Sequence, residues 1–385
     1  MKTIASCLKV LMWIKRTVTH PYAKMLAILT LSLGMVGWSS SSRRPIEMAG
    51  QWPGYARGAA LDICVREQYA YVAAGRAGFM VFDVSHPAQP VRVGGAYTTG
   101  ETRAVYVDGN RAYLAMGSFD TGGCAMDAQG RLVIMDVSNP ALPVRLGEYR
   151  LSGAGESVVV SNNIAYVAVG EGGLQVVDAS DPTKPVGVGS FLPAAFVGSV
   201  AIGGNYIYAT VGGDGLQVVD VSNPAKPVCV GRFSTGDARA VDLSGHLAFV
   251  ADSGEGLIVL DVSDPIKPVR IGGYTVNGDF QSIRVAGTNA CLAAKDVGLC
   301  VIDVGNPAKP DLLGSFATTN ETGGISLAGK YAYVADGIYG IKIIDLGNPA
   351  KPALAGEYST SASAVNVHVA GRYAYVAESI GFCPG

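Results

Sequence analysis

Charged side chains are scarce in this 385-residue chain: Asp, Glu, Lys and Arg together make up 16% of it, and the formal net charge is −2. A chain without a basic excess does not attract nucleic acid or an anionic membrane surface, so neither is expected as a partner. Histidine occurs only four times, at positions that allow no three-ligand zinc site. The sequence also lacks a Gly-x-Ser-x-Gly elbow, a phosphate-binding loop and a Cys-x-x-Cys-His haem motif. It therefore predicts no catalytic residue and no organic cofactor.

Apolar runs long enough to cross a membrane are missing too. The run Met25–Gly37 has 13 residues, whereas a membrane span needs about 20. Basic residues precede this run and the small polar segment Ser39–Ser42 follows it, as in a secretory signal. We therefore predict a signal peptide or leader over residues 1–42, with an uncleaved N-terminal anchor as the alternative, and one domain over residues 43–385. This domain is expected to be secreted, periplasmic or on the cell surface, and monomeric, with no membrane span after signal removal.

What the sequence does contain is one phrase written seven times. Asp-x-Ser-x-Pro-x-x-Pro begins at Asp83 and returns in the same frame, with Gly in place of Ser in the last two copies, and its aspartates are 41 or 42 residues apart after a first spacing of 53. The seven aspartates are Asp83, Asp136, Asp178, Asp220, Asp261, Asp303 and Asp345. A period near 42 residues with no helical pattern in it is typical of a β-propeller, in which each repeat forms one blade.

Each repeat predicts a blade of four antiparallel strands, named a to d from the inner edge outward. In residues 155–191, four runs rich in β-branched and aromatic residues are separated by Asn162–Asn163, by Gly170–Gly173 and by the repeated phrase. Within the phrase, Asp and Ser can bond downstream amides, and the prolines fix the turn and protect the edge of strand d. The seven aspartates are therefore interpreted as structural, rather than as a ring of cation ligands.

One aromatic residue recurs in strand b. The equivalent positions are Tyr71, Tyr113, Tyr166, Tyr208, Phe249, Cys291, Tyr333 and Tyr375. We interpret this residue as packing between neighbouring blades, because a repeat buries its core only against its neighbours. A stacking platform for sugars is the alternative.

The strand count favours eight blades. Strands a and b occur eight times, whereas complete strands c and d occur seven times. The N-terminal segment Pro45–Trp52 aligns with the strand d segment Pro90–Tyr97, and the last strand c stops within Gly381–Gly385. We therefore predict an all-β propeller of eight four-stranded blades whose ring is closed by the N-terminal strand, with seven blades as the alternative.

Strand c carries the most specific motif. It reads Leu-Val-Ile-Met-Asp at 132–136, Leu-Gln-Val-Val-Asp at 174–178 and Leu-Ile-Val-Leu-Asp at 257–261. With the turn phrase and the period, this resembles the LVIVD repeat family, named for that pentapeptide, over nearly all of residues 45–385. The resemblance implies a β-propeller of bacterial or archaeal proteins that are exported or on the cell surface, mostly of unknown function. It brings no catalytic motif.

Six cysteines remain after loss of the leader. Most occupy strand positions that sister repeats fill with Val, Ile or Tyr, which indicates small buried side chains. Cys291 and Cys300 lie symmetrically about a short turn between two adjacent strands. A disulfide between them is geometrically possible in an oxidising compartment.

Candidate binding residues lie where the chain enters strand a. In a propeller these d-to-a connections share one face with the b-to-c turns, near the central channel. Their side chains differ in charge between blades: Glu101, Arg103, Glu156, Asp237, Arg239, Asp279, Gln281 and Glu321. Drift in exposed loops and contact with a ligand both produce such variation, and the sequence does not separate them.

An insertion marks the same face. The second b-to-c loop has 11 extra residues within Ser118–Gly130, with Phe119 as a candidate contact and Asp120 and Asp127 as weak calcium ligands.

The sequence leaves two functions open. The first is an exported, non-catalytic scaffold that binds protein or carbohydrate at the cell surface or in the periplasm. The alternative is a calcium-dependent hydrolase or lyase with a carboxylate site at the mouth of the channel.

Overall fold

The structure, a computed structural model, describes residues 62–75, 78–83, 91–98, 100–117, 130–276, 278–295, 297–318, 322–336, 341–358, 363–370 and 373–379. All of them belong to one compact unit, Ile46–Gly385. Every regular element in these ranges is a β-strand. Within the same ranges, no helix is long and apolar enough to cross a membrane.

Seven sheets have four antiparallel strands each, hydrogen-bonded in chain order a, b, c, d. The first three blades are formed by β1 (Asp62–Arg66), β2 (Tyr69–Ala73), β3 (Phe79–Asp83) and β4 (Val91–Ala96); β5 (Glu101–Asp108), β6 (Arg111–Gly117), β7 (Arg131–Asp136) and β8 (Val144–Arg150); and β9 (Ser157–Ser161), β10 (Ile164–Ala168), β11 (Leu174–Asp178) and β12 (Val186–Phe191). The next two are formed by β13 (Val197–Gly203), β14 (Tyr206–Val211), β15 (Gly215–Asp220) and β16 (Val228–Phe233), and by β17 (Ala238–Ser244), β18 (Leu247–Asp252), β19 (Gly256–Asp261) and β20 (Val269–Tyr274).

The last two blades and a hairpin follow. They are β21 (Phe280–Ala286), β22 (Asn289–Ala294), β23 (Gly298–Asp303) and β24 (Asp311–Phe316); β25 (Thr322–Ala328), β26 (Tyr331–Asp336), β27 (Ile341–Asp345) and β28 (Ala353–Tyr358); and the two-stranded sheet of β29 (Ser363–Ala370) and β30 (Tyr373–Ser379). The first strands of successive blades contact one another in order, and β29 contacts both β25 and β1. Strand a is therefore the inner strand of every blade, as expected.

The protein is a seven-bladed β-propeller, so the preference for eight four-stranded blades is not supported. The described residues place only two strands, β29 and β30, between the seventh blade and the first. The segment Pro45–Trp52, expected to close the ring, and Gly381–Gly385 lie outside the described residues. The described residues therefore contain seven complete blades, the number given by the alternative.

The hydrophobic core is divided among the gaps between neighbouring blades. Between the fourth and fifth blades, for example, Tyr208, Leu216 and Val218 pack against Val250 and Ile258. Described members of the recurring aromatic position are all buried, from Cys291 at 0% exposed to Tyr333 at 8%. This burial confirms that the recurring residue packs between blades and is not a sugar platform.

The repeated phrase is a double turn held by its own side chains. In the third blade, Asp178 Oδ1 accepts a hydrogen bond of 2.8 Å from the Ser180 amide, and Asp181 Oδ1 accepts one of 3.0 Å from the Thr183 amide. The same first bond recurs at Asp136, Asp220, Asp261, Asp303 and Asp345. The structural interpretation of these aspartates is thereby confirmed in six blades; the rest of the first copy, after Asp83, lies outside the described residues.

The phrase also contacts the preceding blade. A β-carbon added to Gly189, on β12, would lie 2.2 Å from the Pro224 carbonyl oxygen in the next copy of the phrase. Equivalent close approaches occur at Gly94, Gly147, Gly231, Gly272 and Gly314. Each of these glycines lies beside the register shift that curves strand d away from strand c. Strand d therefore requires glycine there, because the next blade's turn occupies the space of a side chain.

The strand pairing does not favour the possible disulfide between Cys291 and Cys300. In the pairing of β22 with β23, Cys291 lies opposite Val301 and Cys300 opposite Leu292. The two residues are one step out of register, so their side chains point to opposite faces of the sheet. Cys291 packs toward the seventh blade and Cys300 toward the fifth. Burial raises the pKa of the Cys291 thiol to about 12, which keeps it protonated and unreactive.

Candidate functional site

The predicted site residues that the structure describes lie on one face of the propeller, called here the connection face and formed by the b-to-c turns and d-to-a connections. Main-chain bridges join a b-to-c turn to the next strand a at Gly75 and Thr102, at Gly170 and Val197, and at Gly212 and Ala238. The three glycines have positive φ angles of 51°, 58° and 38°. Each turn thus lies against the entry to the next inner strand, which fixes the rim of the central channel.

A β-bulge presents the second candidate residue of each connection. The pairing of strands a and b skips Arg103 in the second blade, Arg239 in the fifth and Gln281 in the sixth. A bulged residue has no partner opposite it, and its side chain is turned out of the regular alternation. The sequence predicted these three positions but not the bulge that unites them.

Each bulged side chain is bound by the acidic residue two positions before it. Arg239 Nη2 lies 2.7 Å from Asp237 Oδ2, and Gln281 donates a 2.7 Å hydrogen bond to Asp279 Oδ1. Asp279 also lies 3.5 Å from the Lys295 ammonium. These carboxylates are therefore neutralised or hydrogen-bonded within their own blades.

The second and third blades share a three-member ion pair. Arg103 Nε lies 3.1 Å from Glu101 Oε2, and Arg103 Nη1 lies 2.5 Å from Glu156 Oε1 of the next blade. All three side chains are about a quarter to a third exposed. Such a network orients charge at the rim but contributes little stability, because water screens it.

The described part of the chain contains no group of three or more His, Cys, Asp or Glu placed to hold a metal ion. Of the candidate ligands, Glu101, Glu156, Asp237 and Asp279 have the partners given above. Glu321, Phe119, Asp120 and Asp127 lie outside the described residues, so the calcium prediction at the insertion stays a prediction.

Buried carboxylates on this face stabilise turns. Asp252, at the end of β18, is fully buried, and its oxygens accept hydrogen bonds from the amides of Asp237, Gly254 and Glu255 at 2.7 to 2.9 Å. Burial opposes ionisation of Asp252, but the hydrogen bonds from these amides help to outweigh it, so its pKa is lowered. The equivalent Asp336 is also fully buried, and Lys342 Nζ lies 3.3 Å from it.

The fourth blade departs from the charged pattern of the connection face. Phe196 and Gly198 occupy the places that Asp237 and Arg239 take in the fifth blade, and Gly198 is again the residue skipped by the pairing. Phe196 is 48% exposed and nearby Leu192 is 69% exposed. Our reading of the sequence missed both residues because it compared charge between connections. The available signal was the apolar run at 191–197.

Comparisons with known proteins agree with this architecture. The LVIVD repeat family matches residues 57–99, 124–150, 152–192, 196–235, 235–276, 277–318, 321–360 and 361–382. A comparison with curated proteins found no match.

Solved propellers share the fold at low identity. The computationally designed Ika8 protein has a TM-score of 0.67 and 12% identity, covering 87% of this chain and 97% of that chain. BamB from Moraxella catarrhalis has a TM-score of 0.61 and 13% identity, covering 83% and 91%. Sqt1 from Saccharomyces cerevisiae has a TM-score of 0.66 and 8% identity, covering 83% and 93%. At these identities the likeness concerns the fold alone.

The matched segments cover most of the chain and follow the blades. The eighth segment, 361–382, contains the hairpin of β29 and β30, so a repeat is recognised there although the structure describes two strands of it. The family model thus matches far more than half of the chain, and the chain belongs to the LVIVD repeat family.

Proposed function

We propose that the protein is an exported, non-catalytic propeller scaffold that binds a protein or carbohydrate partner at the cell surface or in the periplasm. One observation carries this proposal: the candidate carboxylates of the connection face are bound by Arg, Lys or Gln, and exposed apolar side chains lie on the same face. Paired charges around exposed apolar groups are typical of interaction surfaces, whereas a metal-dependent hydrolase needs carboxylates that converge on one ion.

The experiment is a mapping of contacts on the intact propeller. Photo-crosslinking groups placed at Arg103, Phe196 and Arg239, and at Leu142 on the opposite face, are exposed to envelope extract and to a glycan array. We expect crosslinks or glycan binding at the first three positions and none at Leu142. Calcium-dependent cleavage of a polysaccharide panel that is lost in E101Q and D279N would instead establish the enzyme alternative.

The location and oligomeric state are part of the same proposal. We propose that residues 1–42 are removed on export and that the mature propeller is a monomer, supported by the signal-like leader and the near-neutral charge. Mass spectrometry of the purified protein is expected to give an N-terminus near residue 43, and light scattering the mass of one chain. Recovery of the intact leader in a membrane fraction would favour the anchor.

We also propose that Pro45–Trp52 contributes a strand to the sheet begun by β29 and β30. The support is that β29 contacts both neighbouring inner strands, and that this segment aligns with strand d. Deleting residues 45–52 is then expected to lower the melting temperature, because a ring left open exposes unpaired strand edges. An unchanged melting temperature would contradict this closure.

A further inference from the structure

One connection of the connection face differs in composition from the others. Between complete blades, the five other d-to-a connections each contain Gly or Asn together with Ser or Thr, whereas residues 192–196 read Leu-Pro-Ala-Ala-Phe. Leu192, Ala194 and Phe196 are exposed in the structure, and Pro193 is buried. This connection therefore presents three apolar side chains outward, whereas the sequences of the other connections contain polar residues.

The Phe196 ring lies directly on the neighbouring turn. A β-carbon added to Gly170 would lie 2.8 Å from the ring, and one added to Gly198 would lie 3.6 Å from it. The main chain is fixed at the same place, since the Val197 amide donates a 3.0 Å hydrogen bond to the Gly170 carbonyl. The two glycines leave one face of the ring supported by backbone, so the exposed aromatic side chain is held in position.

Two carboxylates without a salt bridge to any described residue lie beside this connection. Glu171 follows Gly170 in the turn that supports the ring, and it is exposed. Asp214 lies in the equivalent turn of the next blade, two residues after Gly212; it accepts a long, 3.5 Å hydrogen bond from Gln217 and interacts electrostatically with Arg232. The apolar connection thus lies between two negative charges that repel an acidic partner and attract a basic one.

A buried amide oxygen under the same connection has no hydrogen-bond partner within the described residues. In the third blade, Gln175 Oε1 accepts a 3.2 Å hydrogen bond from the amide of Ser152, in the d-to-a connection before that blade. Gln217 is the equivalent residue of the fourth blade and is 1% exposed, but its Oε1 is unsatisfied. Within the described residues, the fourth blade thus lacks the hydrogen bond that ties the connection to strand c in the third blade.

We infer that Leu192, Ala194 and Phe196 form the docking site for a polypeptide segment that presents an aromatic or aliphatic side chain next to lysine or arginine. This inference rests on the proposed binding function. A peptide with a basic side chain fits better than a neutral glycan, because the ring lies against Gly170 and Gly198 and the polar groups beside it, Glu171 and Asp214, are carboxylates that attract a positive charge. The apolar residues supply the contact area, and Glu171 and Asp214 supply charge complementarity.

The test uses a fluorescein-labelled 12-residue peptide of Lys alternating with Phe or Leu, and fluorescence anisotropy with the full propeller. Two matched peptides replace Lys by Glu, or Phe and Leu by Ser. We expect the first to bind, both matched peptides to bind at least about tenfold more weakly, and L192S/F196S to weaken binding of the first by at least about tenfold. The control variant L142S/I266S removes two side chains, each 67% exposed, from the opposite face and is expected to bind normally.

Charge is tested separately with E171Q/D214N. This variant is expected to bind the basic peptide severalfold more weakly and to lose most of the salt dependence of the wild-type propeller, because screened charge pairs account for that dependence. The control variant D311N removes an exposed carboxylate from an outer strand. It is expected to bind the basic peptide with the salt dependence of the wild type.

Three results would overturn the inference. The first is that the basic apolar peptide does not bind. The second is that it binds equally well to the wild type and to L192S/F196S. The third is that laminarin or another glycan binds at Phe196 in place of the peptide. A glycan at Phe196, or crosslinks confined to other positions of the connection face, would leave the proposed binding function in place. The absence of any crosslinked protein or bound glycan in the mapping experiment would remove that function itself.

Discussion

The two faces of the propeller use the same kinds of residue for opposite purposes. On the face of the repeated phrase, each described aspartate makes the same hydrogen bond two residues along, blade after blade. On the connection face, the contacts differ between blades: Arg103 bridges two blades, Arg239 is paired within one, and Phe196 replaces the acid altogether. The comparison indicates that contacts repeated in every described blade serve packing, whereas contacts that differ from blade to blade are available for recognition of a partner.

The largest expected loss of stability comes from a contact on the connection face that serves packing. Lys342 is the second residue of β27, on the connection side of the seventh blade. Its side chain is 8% exposed, and its ammonium lies 3.3 Å from the fully buried Asp336 and 3.2 Å from Glu357. K342A is predicted to lower the free energy of unfolding by about 3–5 kcal/mol, since it leaves a buried charge without its ammonium partner. Urea denaturation measures the loss.

A matched control for Lys342 lies in the same blade. Lys330 is 55% exposed and pairs with Asp345 at 2.7 Å. K330A is predicted to cost at most about 1 kcal/mol, because exposed ion pairs are screened by water. Equal losses for the two variants would show that the pair at Lys342 is not desolvated and does not serve packing.

The next largest effect concerns the contact between strand d and the following turn. G189A places a methyl group 2.2 Å from the Pro224 carbonyl oxygen and 2.7 Å from Pro227 Cδ. Overpacking of this kind is predicted to cost about 1–3 kcal/mol. G213A is the control, since its nearest contact would be 3.6 Å, to the Gly236 carbonyl oxygen, on the connection face. A melting temperature for G189A equal to that of G213A would refute the packing role of this glycine.

Much of this face followed from the sequence, but its contact between blades did not. The phrase predicted a turn because Asp, Ser and Pro act on neighbouring backbone groups, and local chemistry is readable from local order. Gly189 and Pro224 meet across two blades, 35 positions apart, and nothing in either segment states that approach. The recurrence of the glycine at a fixed place in strand d was the one available signal.

A smaller effect is expected from acid. Hydrogen bonds from Ser180 lower the pKa of Asp178, and bonds from Ser138 and Ser263 do the same at Asp136 and Asp261. A carboxyl group whose folded-state pKa is depressed adds stability above its unfolded pKa, about 3.9, and that stability is lost as pH falls through the folded pKa. The melting temperature is thus predicted to be flat near neutral pH and to decrease below about pH 4.

The control for the acid effect is the removal of one such group. D178A is expected to be less stable than the wild type at pH 7 and to differ less from it at pH 2.5, because the wild-type hydrogen bond to the Ser180 amide weakens on protonation. A difference that stays constant with pH would show that the ionised form of Asp178 does not matter.

The sequence was least informative where register or three-dimensional position decides the outcome. Cys291 and Cys300 lie symmetrically about their turn to within one residue, and that single step places them on opposite faces. Arg103 and Glu156 were both predicted as site residues, but their ion pair across two blades depends on how far each blade is rotated from the next. The alternation and spacing of residues within one strand do not predict the rotation between neighbouring blades.

The smallest predicted effect is the one that separates recognition from packing. L192S/F196S removes two exposed side chains, so the free energy of unfolding is expected to change by no more than about 0.5 kcal/mol, even though the Phe196 ring touches Gly170. A large loss would mean that the ring is part of the packing between the third and fourth blades. The contrast between the two faces would then fail in the fourth blade. A small loss, together with lost peptide binding, would mean that the exposed apolar connection 192–196 is maintained by its partner and not by the fold.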